Sequence, residues 1–287
     1  MFTGIMMLRI ALTADVHYPD PARFHALYRL LTVERPDVLV VAGDLVSYSS
    51  LEEVSRLLSK IRKWFDGVII GVAGNHEHWL TKGERRRGLT SVEKIEGLAE
   101  VYASHGGVLL DVDGPYCLDS ICFAGVTGWY DYSYAVHLGF DRIFFDACNP
   151  WGCSLTELEA CERGGVCTCP DWFRDCLLVK LGMSNAEYAL MNAERLRVQL
   201  SKIAGRKTIV VLHHAPRREL LRYTGDRRRD FYFAYAGHEK LDEVIRSASA
   251  EIVRVVYGHL HERSVDWIVE LNGVTYVNAY NYTLIEV

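Results

Sequence analysis

Seven side chains, scattered over most of the chain, share one kind of chemistry. Asp15, His17, Asp44, Asn75, His213, His259 and His261 offer two carboxylates, one amide oxygen and four imidazoles. That donor set is hard to borderline in character. It suits Mn, Fe, Co or Zn better than calcium, which takes oxygen almost exclusively. Seven donors exceed what one tetrahedral ion can use. With one carboxylate shared they divide into two groups of four, and each ion then keeps room for water, as a catalytic site requires.

All seven fall just past apolar runs that read as β-strands. Those runs lie at 8–13, 37–42, 67–73, 208–212 and 252–257. Amphipathic stretches near 22–33, 51–64, 91–104, 185–203 and 239–247 predict helices between them. Pro21 opens the first helix, and Val54, Leu57, Leu58 and Ile61 form one stripe on the second. Shorter strands are expected at 108–110 and 121–124, and alternating ones at 264–271 and 274–278 close the chain. This alternation is the pattern of α/β layering. Ligand sites in such sheets lie beyond the carboxyl ends of the strands, so residues distant in sequence should converge on one edge.

The 287 residues allow one large domain or two small ones, and a chain this long needs no staple to hold a core. No run of eighteen apolar residues is present, so no membrane helix or membrane partner is expected. The opening residues reach Asp15 too soon for a secretory leader, and a cytoplasmic location is expected. A net charge of −5 argues against broad attraction to nucleic acid. Segment 128–180 breaks the strand–helix rhythm and reads as a Cys-rich insertion within a single domain spanning 1–287. Cys148, Cys153, Cys161, Cys167, Cys169 and Cys176 crowd into it, while Cys117 and Cys122 lie outside. No CxxC pair occurs, so disulfides, a metal site and free thiols all stay open. A single Gln and an excess of Arg over Lys fit a thermophilic source, and the Arg excess fits a GC-rich genome equally.

Five short motifs then fall into a known order: Asp15-Val16-His17, Gly43-Asp44, Gly74-Asn75-His76-Glu77, His213-His214-Ala215-Pro216 and Gly258-His259-Leu260-His261. Together they resemble the calcineurin-like metallophosphoesterases, over positions 15 to 261. The resemblance implies an α/β fold, a four-layer αββα sandwich of two mixed β-sheets flanked by helices. It implies two divalent metal ions, one held by Asp15, His17, Asp44 and His261 and the other by Asp44, Asn75, His213 and His259. Asp44 bridges. It also implies in-line attack on a phosphate ester by a metal-bound hydroxide, with His76 as general acid or transition-state stabiliser. A small phosphodiester or nucleotide-type substrate is expected. The rivals are a DNA-end-processing nuclease and a non-catalytic protein-assembly scaffold sharing the fold. Oligomeric state is not legible.

Other residues have two readings each. Asp15 and Asp44 could be helix N-caps, and Gly43, Gly74 and Gly258 mere turn residues, but seven such coincidences would be needed. His213 is favoured over His214 as the ligand because it comes first after its strand, which leaves His214 beneath the site or facing substrate. Glu77 is expected to steady the motif loop by hydrogen bonds. His78 is either a satisfied structural histidine or a substrate contact. Trp129, within the aromatic run 128–134, is either core or a stacking wall. Arg217, Arg218, Arg222 and the arginines at 227–229 are either a solvated charge run or a cap that reaches substrate phosphate, with Arg222 the test residue. His25, His105, His137 and His238 lack this context and are taken as non-ligands.

Overall fold

The computed structural model describes residues 7–48, 50–139, 174–226, 230–261 and 267–287. Strands β1 (Arg9–Thr13), β2 (Val38–Ala42) and β3 (Val68–Val72) are apolar and buried on both faces. Parallel strands covered on either side require that pattern. Helix starts follow local chemistry. Asp20 accepts from the Ala22 and Arg23 amides ahead of the Pro21–Glu34 helix, and Ser50 caps Leu51–Ile61. Capping boxes Thr90/Glu93 and Ser184/Glu187 set the starts of Ser91–Ser104 and Asn185–Lys202.

The remaining strands are β4 (Gly107–Leu109), β5 (Tyr116–Leu118), β6 (Ile121–Val126), β7 (Lys207–Leu212), β8 (Glu251–Tyr257), β9 (Ile268–Leu271), β10 (Val274–Asn278) and β11 (Thr283–Glu286). Among the described residues they form a five-stranded sheet, β11-β1-β2-β3-β4, and a six-stranded sheet, β5-β6-β7-β8-β10-β9. β1 to β4 run parallel, as do β6, β7, β8 and β10. The edge strands β11, β5 and β9 are antiparallel, so both sheets are mixed.

Alternating side chains define four layers. Ile10, Val40 and Ile70 meet Phe123, Ile209 and Val256 between the sheets. Outward-facing Leu39, Val41 and Ile69 pack on Leu27, Leu58 and Leu98 of flanking helices. Val210 and Val255, on the outer face of the second sheet, pack on Leu196, Leu200 and Ile245. The αββα sandwich is therefore directly visible.

The sequence reading needs correction at the edges. The chain does not close at β10: it turns through Ala279–Asn281 and adds β11 against β1, pairing Ile285 with Ile10. Four residues are too few for a period to register. β5 and the short helices Asn75–His78 and Lys82–Arg86 were missed for the same reason. Of the strand expected at 264–271, Ile268–Leu271 is formed, and 262–266 lie outside the described residues. Most of the 128–180 insertion lies outside them too, with Cys148, Cys153, Cys161, Cys167 and Cys169. Cys117 and Cys122 form a disulfide across β5 and β6, and Cys176 is disulfide-bonded. No helix among the described residues is long and apolar enough to cross a membrane.

Candidate metal centre

Five strand ends deliver the donors. Asp15 and His17 follow β1, Asp44 follows β2, Asn75 opens the helix after β3, His213 follows β7 and His259 follows β8. The turns that present them are unusual. Asp15, His17, Asp44 and His259 all have left-handed backbone, with φ of 51°, 46°, 52° and 64°. Each such non-glycine residue costs of order 1–3 kcal/mol and persists only where its surroundings over-determine it. Glycine fits where backbones crowd: a Cβ on Gly43 would collide with the His213 imidazole, and one on Gly74 with the Asp44 carboxylate.

The seven side chains meet in two adjoining groups. In one, His261 Nε2 lies 3.0 Å from Asp15 Oδ1 and 3.1 Å from His17 Nε2. His17 Nε2 is 3.8 Å from both Asp15 Oδ1 and Asp44 Oδ2. In the other, His213 Nε2 lies 3.0 Å from Asn75 Oδ1, 3.2 Å from His259 Nδ1 and 3.6 Å from Asp44 Oδ1. His259 Nδ1 is 3.1 Å from Asn75 Oδ1. Asp44 faces both groups.

In the second group two atoms are fixed as acceptors. His213 Nδ1 donates to the Ala42 carbonyl at 2.9 Å, which leaves the lone pair on Nε2. Asn75 Nδ2 donates to Asp175 Oδ1 at 2.9 Å, so Oδ1 turns inward. Burial pushes His213 below the usual imidazole range and His259 down to about 3, so both stay neutral. His259 Nδ1 faces both acceptor atoms, and with its proton on Nε2 it offers a third lone pair to a shared cation. The donor chemistry therefore fits a metal ion.

Carboxylates crowd the other side. Burial and the neighbouring Glu77 and Asp15 push Asp44 well above the usual carboxylate range. Burial also works against ionised Asp15, but the nearby His261, His213 and His17 more than offset it and hold that group low. Burial pulls His17 down to about 4, whereas the Asp15 carboxylate outweighs burial at His261 and raises it. Glu77 also acts through the backbone. It accepts from the Gly74, Asp44, Leu45 and Val46 amides at 2.8, 2.9, 2.9 and 3.4 Å, tying the loops after β2 and β3 together. Arg23 does the same after β1, donating to the Ala14 and Asp15 carbonyls at 2.7 and 3.0 Å.

His76 stands at the mouth, its Nδ1 3.0 Å from the Ser47 carbonyl and its Nε2 3.7 Å from Asp44 Oδ2. The Trp79 ring stacks on it at 3.7 Å. Both line a cleft of about 480 Å³ whose floor includes Asn75, His259 and His261. Its walls include Tyr48, Arg174, Tyr232 and Tyr235.

Three residues for which a substrate contact is one of two readings lie outside the cleft lining. Trp129 is fully buried, stacked on Tyr130 and donating from Nε1 to Asn185 Oδ1, so it is core. His214 is fully buried beside the Thr127 carbonyl and the Trp129 amide and does not line the cleft, although one of its ring nitrogens lies within 4.8 Å of donor atoms of His213 and His259. Arg222 is exposed and outside the cleft lining, and 227–229 lie outside the described residues. Arg217 is buried between Glu219 and Asp242, and His78 is satisfied by the Gly74 carbonyl and the Tyr188 hydroxyl. Sequence reasoning missed Trp79, Arg174, Asp175 and Arg23. Trp79 follows the Asn75–His78 motif closely enough to have been found; Asp175 and Arg174 sit at the end of a segment without a readable pattern.

A family model described as calcineurin-like phosphoesterase matches residues 8–263. No curated protein sequence matches the chain. The crystal structure of a phosphopantetheinyl hydrolase from Mycobacterium tuberculosis is similar, with a TM-score of 0.64 and 20% identity over 96% of this chain and 91% of that one. A dimetal phosphatase from Danio rerio gives a TM-score of 0.51 and 14% identity over 94% and 86%. At such identities these two likenesses concern the fold. The family model spans nearly the whole chain and all five motifs, and the chain therefore belongs to the calcineurin-like phosphoesterase family, hydrolases of phosphate esters that generally use a pair of divalent metal ions.

Proposed function

We propose that the chain hydrolyses a small phosphodiester or nucleotide-type substrate at a dinuclear metal centre. Asp15, His17 and His261 would hold one ion and Asn75, His213 and His259 the other, with Asp44 reaching both. The observation that carries this reading is the convergence of Asn75 Oδ1, His213 Nε2 and His259 Nδ1 within 3.0–3.2 Å of one another, beside Asp44. When bound, two divalent ions supply Lewis acidity toward phosphoryl oxygens and bring the pKa of water near 7.

The chain's own residues account for the rest. Two ions carry +4 against −2 from Asp15 and Asp44, so the cleft attracts an oxyanion. His76 is kept neutral by burial, well below the usual imidazole range. An anionic ester alongside favours its imidazolium, which keeps Nδ1–H on the Ser47 carbonyl and donates Nε2–H to the leaving oxygen. Trp79, stacked on the ring, fixes its plane.

Substrate class is read from the walls. Tyr48, Trp79, Tyr232 and Tyr235 offer faces for a base or aryl group, and Arg174 a planar fork for phosphate. An adjoining groove of about 450 Å³ shares Tyr48, Trp79 and Arg174 and adds Lys82, Arg85 and the acidic Glu53. It has room for a leaving group that carries a ring and further negative charge. The test is a substrate panel on protein whose metal content is known by elemental analysis. Two ions per chain and faster turnover of nucleotide esters than of bis(p-nitrophenyl) phosphate are expected. Lys82→Ala with Arg85→Ala should raise KM for the former alone. A lack of hydrolysis with any divalent metal would overturn the reading.

A further inference from the structure

Residues 174–180 return to the fold alongside the loop that carries His76. The Leu80 amide donates to the Leu178 carbonyl at 2.8 Å, and Ser91 and Lys180 exchange two bonds of 2.8 Å. The short helix Asp175–Leu178 packs on Asn75–His78. This return segment places one buried carboxylate, Asp175, behind the second donor group. Its Oδ1 accepts from Asn75 Nδ2 at 2.9 Å and from Trp79 Nε1 at 2.6 Å, and its Oδ2 accepts from the Tyr130 hydroxyl at 3.3 Å.

Each bond constrains something different. An asparagine amide can turn over, exchanging its oxygen and nitrogen. Turned over here, Asn75 would set its oxygen against a carboxylate, where no proton is available to either atom. Held as it is, the amide aims Oδ1 at His213 and His259. The bond to Trp79 Nε1 fixes the indole that stacks on His76. One side chain thus sets the orientation of a donor and the plane of a neighbouring imidazole.

We infer that Asp175 is a positioning residue: it locks the Asn75 amide oxygen toward the second metal position and holds Trp79 against His76. The inference rests on the proposed role of Asn75 as a ligand. Partners of this kind behind a metal ligand are typically worth about 10–100-fold in metal affinity.

Calorimetric titration of the full-length metal-free protein with Mn²⁺ tests it. The wild type should bind two ions. Asp175→Ala should keep one tight site and weaken the other about 10–100-fold, with circular dichroism and the metal-free melting temperature showing that the variant folds. Asp175→Asn should retain the second site, because its amide oxygen still accepts from Asn75 and Trp79 while its nitrogen donates to the Tyr130 hydroxyl. Unchanged affinity in Asp175→Ala would overturn the inference. So would equal weakening of both sites in Asp175→Ala, the mark of a residue that only stabilises the fold. Asn75→Ala separates the two failures: two tight sites in that variant would overturn the ligand reading itself.

Discussion

Glu77 and His78 sit side by side in one motif and meet opposite demands. Glu77 is a buried acceptor for backbone amides from two loops, so Glu77→Ala leaves several buried N–H groups unpaired at about 1–3 kcal/mol each. A loss of roughly 3 kcal/mol or more is expected in urea unfolding. His78 is fully buried, with Nδ1–H on the Gly74 carbonyl and Nε2 accepting from Tyr188. Burial therefore pulls it down to about 3. The unfolded chain takes up this proton near pH 6.5 and the folded one does not, so the stability tied to His78 is complete above pH 6.5 and falls as the pH drops toward 3. His78→Asn should cost stability at pH 7, with the deficit shrinking by about 2 kcal/mol at pH 5, since 1.5 pH units at 1.36 kcal/mol each separate 6.5 from 5. For the chemistry, His76→Ala should lower turnover about 10²–10⁴-fold on esters with poor leaving groups and far less on p-nitrophenyl esters, whose leaving group needs no proton. A uniform loss across leaving groups would place the role of His76 elsewhere.

At the scale of elements, the loop from Trp79 to Thr90 is held by an ion pair almost closed to solvent. Lys94 Nζ lies 3.2 Å from Glu84 Oε2 and also donates to the Trp79 carbonyl, while Glu84 accepts from the Thr81 amide at 2.6 Å. Lys94 is 1% exposed. Lys94→Met leaves the Glu84 charge buried alone and should cost about 3–5 kcal/mol, and Glu84→Gln in that background should recover much of it. Urea unfolding of the two variants decides the matter. A lysine in the middle of a helix looks like a solvated residue, so nothing in the sequence announced this pair. The longer elements were legible because burial imposes a period on eleven or more residues: Ser91–Ser104 lies where its amphipathic pattern puts it. The seven donors were legible because strands end at them. Asp175 was not, since its only signal is where residues 174–180 return in space, and β11 was not, since four residues carry too little pattern. Trp129 kept two readings because an aromatic after a strand suits a core as well as a cleft, and its burial decides for the core.

The two donor groups also join the two halves of the molecule. Asp15, His17, Asp44 and Asn75 follow strands of the five-stranded sheet, whereas His213, His259 and His261 follow strands of the six-stranded one. At this edge the apolar contact between the sheets gives way to buried carboxylates and neutral imidazoles. Burial, together with repulsion from Glu77 and Asp15, keeps Asp44 from ionising readily. Cations would convert that repulsion into attraction across the seam. An ion that binds only the folded chain stabilises it by about 2.7 kcal/mol at a hundredfold excess over its dissociation constant, so two ions give about 5 kcal/mol. At roughly 1.7 °C per kcal/mol for a chain of 287 residues, chelation should lower the melting temperature by about 8 °C, and Mn²⁺ should restore it. Hydrogen exchange locates the effect. Protection should fall in the loops after β1, β2, β3, β7 and β8 and stay unchanged at the opposite ends of the same strands. A melting temperature indifferent to chelator, or a loss of protection spread evenly over both sheets, would mean that the seam is held by packing alone.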